Sequence, residues 1–460
     1  MTLEELARAV NGRRVGGSAG TPIEGYSIDS RSLRPGELFV AIRGKRFDGH
    51  AFVVEALARG ACGALVSDEA TLGSPPKNGI VVDDTLRALQ SLAQYIRRAS
   101  DARVVAITGS VGKTTTKELV AVVLGARYRV CRSSGNLNNE IGLPLSLLEL
   151  RTRPEVAVVE LGMNSCGEIS RLVEISEPDV RVWLNVAEVH SEFFSSIEKI
   201  ADAKAEILER ATSTSTVVAN AADRRVMARL SGFPGSIATF GFDVEASVNA
   251  SEIEDRGLDG TRALLQTPVG STTVTTPLLG LANLSNVLAA VTVAVQLEVP
   301  LAAVADRVAR VEAASHRGQV YRLRRGIVVV DDSYNSNPEA VEAMLATLTR
   351  DLRGRRLVAV LGEMLELGER SIALHRRVGA MAATAGLGLL LSVGEGSARA
   401  FGTAAVEAGL PANQAHHCES SQEAANRLTG MLDDGDLVLV KGSRGLRLEL
   451  VVERLIAECA

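Results

Sequence analysis

The residues best suited to chemistry lie in one run, VVAITGSVGKTTTKE, at 104–118. Four apolar, β-prone residues lead into Thr108-Gly109-Ser110-Val111-Gly112-Lys113-Thr114-Thr115, and a helix-competent segment follows. Strand, glycine turn and helix in that order make a cradle for phosphate. The glycines let backbone N–H groups converge on anionic oxygens, and the helix N-terminus adds its dipole. Lys113 reaches for the outer phosphates and Thr114 offers a hydroxyl to Mg²⁺. The general pattern also wants a glycine five residues before Gly112, where this chain has Ile107. Only the Gly-Lys-Thr half is met, so the strand–turn–helix context carries the assignment.

Other polar side chains stand at the ends of apolar runs. Glu160 closes VAVVE, where a carboxylate can hold Mg²⁺, since hard cations prefer oxygen; a helix cap or surface acid is the alternative. His190 follows another strand end and is a metal ligand, a base or a structural residue. A helix is predicted over 195–211 with Ile197, Ile200, Ala201, Ile207 and Leu208 on one stripe. Lys204 falls on that stripe, four residues from both Ile200 and Leu208. A partly buried lysine loses charge and can react, and carbon dioxide would convert it to a carbamate able to bind a second cation; a snorkelling lysine is the alternative. Asn136, Asn138 and Asn139 suit hydrogen bonding to a polar substrate, or simple turn chemistry. Asp332 can accept from ribose hydroxyls and Tyr334 or Asn335 can contact a base, or this segment only caps a helix. Ser30-Arg31 and Asp48-Gly49-His50 are further polar turns.

The elements that must position these residues are short strands alternating with helices, an α/β pattern with mostly parallel sheets. Strands are predicted at 38–42, 64–67, 80–82, 104–107, 156–160, 180–185, 216–219, 327–331, 357–361, 389–393 and 437–440, with an antiparallel excursion near 273–277. Open α/β sheets bind ligands at the carboxyl ends of their strands, where Glu160, Asn185, Asp331, Asp332, Glu363 and the run from Lys441 to Arg444 all fall. These residues lie on both sides of a boundary near 312–318, which predicts a cleft between domains.

Composition narrows the class. A chain of 460 residues predicts two to four domains. Net charge is −5 and only 3% of residues are aromatic, so no nucleic-acid surface is expected. No apolar run reaches the length of a membrane span, and MTLEELARAV lacks the pattern of a signal peptide. Five scattered cysteines predict reduced thiols in a cytoplasmic protein, with neither zinc site nor disulfide framework.

Taken together, the segments resemble the Mur ligases along essentially the whole chain. The resemblance rests on DSRSLRPGELFVAIRGKRFDGHAF (29–52), TGSVGKTTTKE (108–118), GNLNNEIGLP (135–144), ELGMNSCGEI (160–169), AKAEI (203–207), DDSYNSNP (331–338), LGEMLELG (361–368) and VKGSR (440–444). It implies three domains: 1–85 binding a UDP-MurNAc-peptide, 86–313 a P-loop ATPase, and 314–460 a Rossmann-like ligase domain. TGSVGKTTTKE, DDSYNSNP and VKGSR favour the member that joins D-alanyl-D-alanine to UDP-MurNAc-tripeptide, a monomer using ATP and two Mg²⁺. By the same resemblance, Gly109, Ser110, Val111, Gly112, Lys113, Thr114 and Thr115 cradle the triphosphate, while Thr114, Glu160, His190 and a carbamylated Lys204 serve the metals. Asn283, Asn286, Arg317, Asp332, Tyr334 and Asn335 match nucleoside-binding positions. Lys441 and Arg444 face the reacting groups, and Ser30, Arg31, Asp48, Gly49, His50, Asn136, Asn138 and Asn139 match the UDP-substrate positions. The chain departs from the family at Ala282, where histidine is usual, at Ser165-Cys166, and in the loop after His190. Two alternatives remain: another ligase of this fold that adds a single amino acid, folylpolyglutamate synthetases included, and a non-catalytic nucleotide-binding relative.

Overall fold

Short apolar runs build three sheets. The computed structural model describes residues 1–44, 47–188, 194, 196–350 and 352–459. The first sheet holds β1 (Arg13–Val15), β2 (Gly25–Ser27), β3 (Glu37–Val40), β4 (Gly63–Val66) and β5 (Gly79–Val81). Its order is β1-β5-β4-β3-β2, parallel except for β1. The second holds β6 (Arg103–Thr108), β7 (Val130–Arg132), β8 (Val156–Glu160), β9 (Val180–Trp183), β10 (Thr216–Asn220), β11 (Ser236–Phe242), β12 (Val248–Asp255), β13 (Thr261–Thr267) and β14 (Gly270–Thr276). Its order is β14-β13-β12-β11-β10-β9-β6-β8-β7, with antiparallel pairing only at β12–β13 and β13–β14. The third holds β15 (Gln319–Arg322), β16 (Val328–Asp332), β17 (Leu357–Gly362), β18 (Leu387–Val393), β19 (Ala415–Cys418) and β20 (Leu437–Lys441), in the order β15-β16-β20-β17-β18-β19.

The second sheet is covered on both faces, as parallel sheets require. Helices Lys113–Leu124 and Gly280–Gln296 pack on Val105, Ile107, Val158 and Val182. On the other face Leu89, Leu92, Leu143, Leu147, Ile169 and Ile200 pack on Val104, Ala106, Ala157 and Val159, and that core continues to Leu38, Val40, Leu65 and Ile80 of the first sheet. The first two sheets therefore share one core. In the second sheet β6 lies between β8 and β9, and in the third β20 lies between β16 and β17. These are points where strand order reverses, and the loops leaving these strands bound a crevice.

Two predictions need correction. The helix expected over 195–211 runs only from Ile197 to Ala205, followed by a 3₁₀ turn at Glu206–Leu208. Ser196 caps its start by accepting from the Lys199 N–H. Glu206 leaves the helical path, and its carboxylate accepts from the Gly167 and Ser170 N–H groups at 2.7 and 3.0 Å. The excursion near 273–277 is a full antiparallel meander of β12, β13 and β14. Among the described residues no helix is long and apolar enough to cross a membrane.

His375 fixes the loop that leaves β17. Its Nε2 accepts from the Met364 N–H at 2.9 Å, so Nδ1 carries the proton and donates to Ser371 O at 2.7 Å. The ring is fully buried against Phe401. Burial pushes its pKa below the ordinary 6.5. A depressed folded-state pKa stabilises the fold above the unfolded value of about 6.5, and that share is lost as pH falls through the folded pKa. Melting temperatures of wild type and His375→Gln, measured from pH 7.5 to pH 5, should therefore converge as pH falls; a constant gap would place the pH-sensitive group elsewhere.

Candidate active site

The loop after β6 is shaped by glycine geometry. Gly112 caps the Lys113–Leu124 helix at φ +86°, and a Cβ there would lie 2.4 Å from Asn286 Oδ1. No other residue type fits that position without strain. Asn185, just beyond β9, grips Val111 with both ends of its amide: Oδ1 accepts from the Val111 N–H at 2.9 Å and Nδ2 donates to Val111 O at 3.1 Å. Ser110 Oγ donates to Ala187 O at 3.2 Å and accepts from the Ala187 N–H at 2.9 Å. The loop is thus preformed by its neighbour strand.

Two lysines meet at one oxygen. Lys113 Nζ and Lys204 Nζ donate to Gly109 O at 2.8 and 3.1 Å. Burial lowers the pKa of Lys113, opposed by Glu160 and reinforced by Arg317. Lys204 is 2% exposed, as its place on the apolar stripe predicts. Burial drives its pKa well below the ordinary lysine range, the Lys113 charge adds to this, and Glu160 opposes it.

Glu160, at the end of β8, is 2% exposed and shared by two partners. Oε2 accepts from Thr114 Oγ1 and Oε1 from Asn138 Nδ2, both at 2.8 Å. The amide run after β7 therefore divides its labour. Asn138 reaches the carboxylate, whereas Asn139 Oδ1 accepts from the Ile141 and Gly142 N–H groups and starts the next helix. Asn136 is exposed.

The third sheet supplies the facing wall. A cleft of about 590 Å³ is lined by Lys113, Thr114, Thr115 and Glu160 on one side and Arg317, Asp332, Tyr334, Asn335 and Lys441 on the other. Lys441 Nζ donates to Asp332 Oδ2 at 2.6 Å and Asn335 O at 3.0 Å. The Arg317 guanidinium sits 4.1 Å from the Tyr334 ring centroid. Asn283 and Asn286 also line the cleft, but Asn286 bonds Thr116 Oγ1 and Asn283, and Asn283 bonds Leu279 O. Ala282 lies beside them.

Several anticipated residues lie outside this lining. Arg444 stands 5.8 Å from the Tyr334 centroid and pairs with Glu449 at 2.8 Å. In the first unit, Asp29 holds Arg31 through two side-chain bonds. His50 Nε2 accepts from the Ser67 N–H at 2.9 Å, so its Nδ1–H donates to Asp48 at 2.6 Å. His50 thereby shapes the turn at Gly49, while Ser30 is buried. His190 lies outside the described residues. Sequence reasoning missed the gripping role of Asn185; an amide at the end of the strand beside the phosphate loop was the available signal.

Three family models match the chain: the Mur ligase family catalytic domain at 22–97, the Mur ligase middle domain at 107–294, and the Mur ligase glutamate ligase domain at 316–444. The chain is 35% identical to the UDP-N-acetylmuramoyl-tripeptide–D-alanyl-D-alanine ligase of Escherichia coli, covering 99% of this chain and 98% of that one. It superposes on a crystal structure of MurF from Acinetobacter baumannii with a TM-score of 0.87 at 30% identity, covering 99% and 98% of the two chains. With MurF from Thermotoga maritima in complex with ADP the TM-score is 0.81 at 29% identity, covering 95% and 98%.

Among the described residues Lys204 has no acidic hydrogen-bond partner, so its burial opposes folding. Lys204→Met should hold or raise the melting temperature, since apolar replacement of buried charge is neutral or stabilising by roughly 1–4 kcal/mol, while nucleotide-dependent turnover is lost. A clear drop in melting temperature would instead make the bond to Gly109 O a structural support.

Proposed function

The chain belongs to the Mur ligase family, and from that premise we propose that it is an ATP-dependent amide ligase joining D-alanyl-D-alanine to the terminal carboxylate of UDP-MurNAc-tripeptide. The observation that carries this reading is the single cleft in which the phosphate loop and Glu160 face Lys441 and Asp332 of the third sheet. Full-length similarity to the Escherichia coli ligase supports the choice of substrates. A cytoplasmic site of action follows from those substrates. One chain supplies both walls of the cleft, which supports a monomer as the working unit.

The physical problem is bringing two anions together. A substrate carboxylate oxygen attacks the γ-phosphorus of ATP, the bond to the bridging oxygen breaks, and ADP leaves with that electron pair. The resulting acyl phosphate is attacked at its carbonyl carbon by the amine of D-alanyl-D-alanine. The tetrahedral species collapses, the C–O bond to phosphate breaks, and the amine gives up its proton. The backbone N–H groups from Gly109 to Thr115 hold the phosphates, and Lys113 neutralises charge on the transferring group. Thr115, Arg317, Asp332, Tyr334 and Asn335 line the remaining nucleotide space. Closure of the third unit on the second excludes water from the acyl phosphate.

A Mg²⁺ site fits the residues present. Thr114 Oγ1 and Glu160 Oε2 are 2.8 Å apart, close enough to face one cation. Mg²⁺ typically takes one or two protein oxygens and completes its shell with phosphates and waters. When bound it would supply charge neutralisation to the phosphates. Lys204 supports the carbamate reading: a buried amine of lowered pKa is neutral enough to attack carbon dioxide, forming an N–C bond and releasing one proton. With His190 it would then serve a second cation.

Phosphate release from ATP with Mg²⁺ should require both UDP-MurNAc-tripeptide and D-alanyl-D-alanine, and the product should gain the dipeptide by mass. Lys113→Ala should lower turnover by roughly a thousand-fold or more, as loss of a phosphate-clamping charge does. Lys204→Ala should lose most activity and regain part of it with short carboxylic acids if the carbamate forms. Nucleotide binding without release under any substrate pairing would favour the non-catalytic relative.

A further inference from the structure

Lys117 lies one helical turn beyond Lys113, and solvent does not reach its side chain. Its Nζ donates to Ser133 O at 2.7 Å and Gly135 O at 3.0 Å, with Glu118 Oε1 at 3.1 Å. Of its three N–H donors two are taken by these carbonyls, and the Glu118 carboxylate beside it balances the charge. A wholly buried cation is tolerated only when paired and hydrogen-bonded in this way. Both acceptors are main-chain carbonyls of one loop, residues 133–139 between β7 and helix Gly142–Leu148. The group therefore fixes backbone.

The far end of the same loop is fixed as well. Asn138 Nδ2 donates to Glu160 Oε1, and Asn138 O accepts from the Gly162 N–H, both at 2.8 Å. A Cβ on Gly162 would lie 2.9 Å from Asn138 Cγ, so glycine is needed for this approach. Glu160 in turn accepts from Thr114. Thr114 and Lys117 are three residues apart and share a helix face. The phosphate-binding helix thus grips the loop twice, through Lys117 at its root and through Thr114 and Glu160 at Asn138. Between the two grips Ser134, Gly135 and Asn136 are exposed.

We propose that Lys117 is a positioning residue for the ligation: it keeps the 133–139 loop in register with the phosphate-binding helix, so that the loop's exposed amides meet the UDP-linked acid beside the bound nucleotide. This inference rests on the ligase reading above. Lys117 touches neither substrate; it acts through the two carbonyls.

Steady-state kinetics of the full chain separate this role from general support. Lys117→Met should raise KM for UDP-MurNAc-tripeptide roughly ten-fold, about 1.4 kcal/mol and close to the lower end of what a lost charged hydrogen bond costs. KM for ATP should stay within about two-fold, below the cost of any such bond. Lys117→Arg, which keeps a buried cation, should recover part of the loss. Glu118→Gln spares both carbonyl bonds and should shift the same KM in the same direction by less; it decides the matter if Lys117→Met does not fold. Equal rises in both KM values, or an effect confined to melting temperature, would overturn the inference. So would an unmoved KM in Glu118→Gln when Lys117→Met fails to fold. Wild type without turnover would overturn the ligase reading and this inference with it, whereas wild-type turnover with unmoved KM values overturns the inference alone.

Discussion

Two amines on one carbonyl oxygen, the half-buried Lys113 and the buried Lys204, set the terms for the rest of the structure. Lys113 and Lys204 both donate to Gly109 O; burial lowers the pKa of each, and the Lys113 charge lowers that of Lys204 further. In an interior of low effective dielectric such a pair is tolerable only if something compensates. Glu160 compensates in part, because its carboxylate opposes the depression of both lysines. A triphosphate entering the loop completes the balance. The preformed state is thus short of negative charge, and the ligand it suits is defined by that shortage. Asn185 and Ser110 hold the loop in this geometry before any ligand arrives, so little ordering remains to be done on binding.

The facing wall is joined to this loop more softly. Arg350 pairs with Asp255, Arg322 and Arg353 with Asp259, and Arg370 with Glu188, each between the second and third units. The arginines are more than half exposed, and ion pairs of that kind contribute about 0–1 kcal/mol each. The apolar part of the junction is small, with Leu258 and Leu279 packed among Val341 and Leu345. An interface of this character favours relative domain motion, which a two-substrate reaction needs. By contrast, the first and second units share a continuous core and form a fixed platform.

How much of this was legible in the sequence follows from how each residue signals its role. Every predicted strand is present, because four or five consecutive apolar residues in a parallel sheet are buried on both faces and leave an unbroken run. The strands β12 and β13 were hidden because one face of each is largely polar; Val248–Asp255 alternates fully buried with part-exposed positions only in its first half and ends in acids. Lys204 was legible because a charged residue on an apolar stripe breaks a period. Asn139 was not separable from Asn138, since the same amide serves a helix start and a carboxylate equally well. His50 looked like a ligand-facing group, yet one ring nitrogen is used within its own turn, by Asp48, and the other by the Ser67 N–H, and only geometry distinguishes the two. Lys117 gave no signal, because a lysine on a helix beside an acid reads as a solvated pair.

The same reasoning separates a ligase from a protein that only holds a nucleotide. Binding phosphate needs the loop amides and one lysine. It does not need a second amine buried beside the first, whose desolvation opposes folding. Nor does it need Lys441, almost wholly buried and tied to Asp332 and Asn335 on the opposite wall. Lys441 is already neutralised, so it adds little to the attraction of a free nucleotide. It lines the cleft opposite the phosphate loop. Groups that cost stability before the ligand arrives, and whose benefit comes only as charge develops, are the mark of differential stabilisation of a transition state. On the ligase reading proposed above, the buried Lys204 beside Lys113 has that character, and a binding module of equal affinity could be built more stably without it.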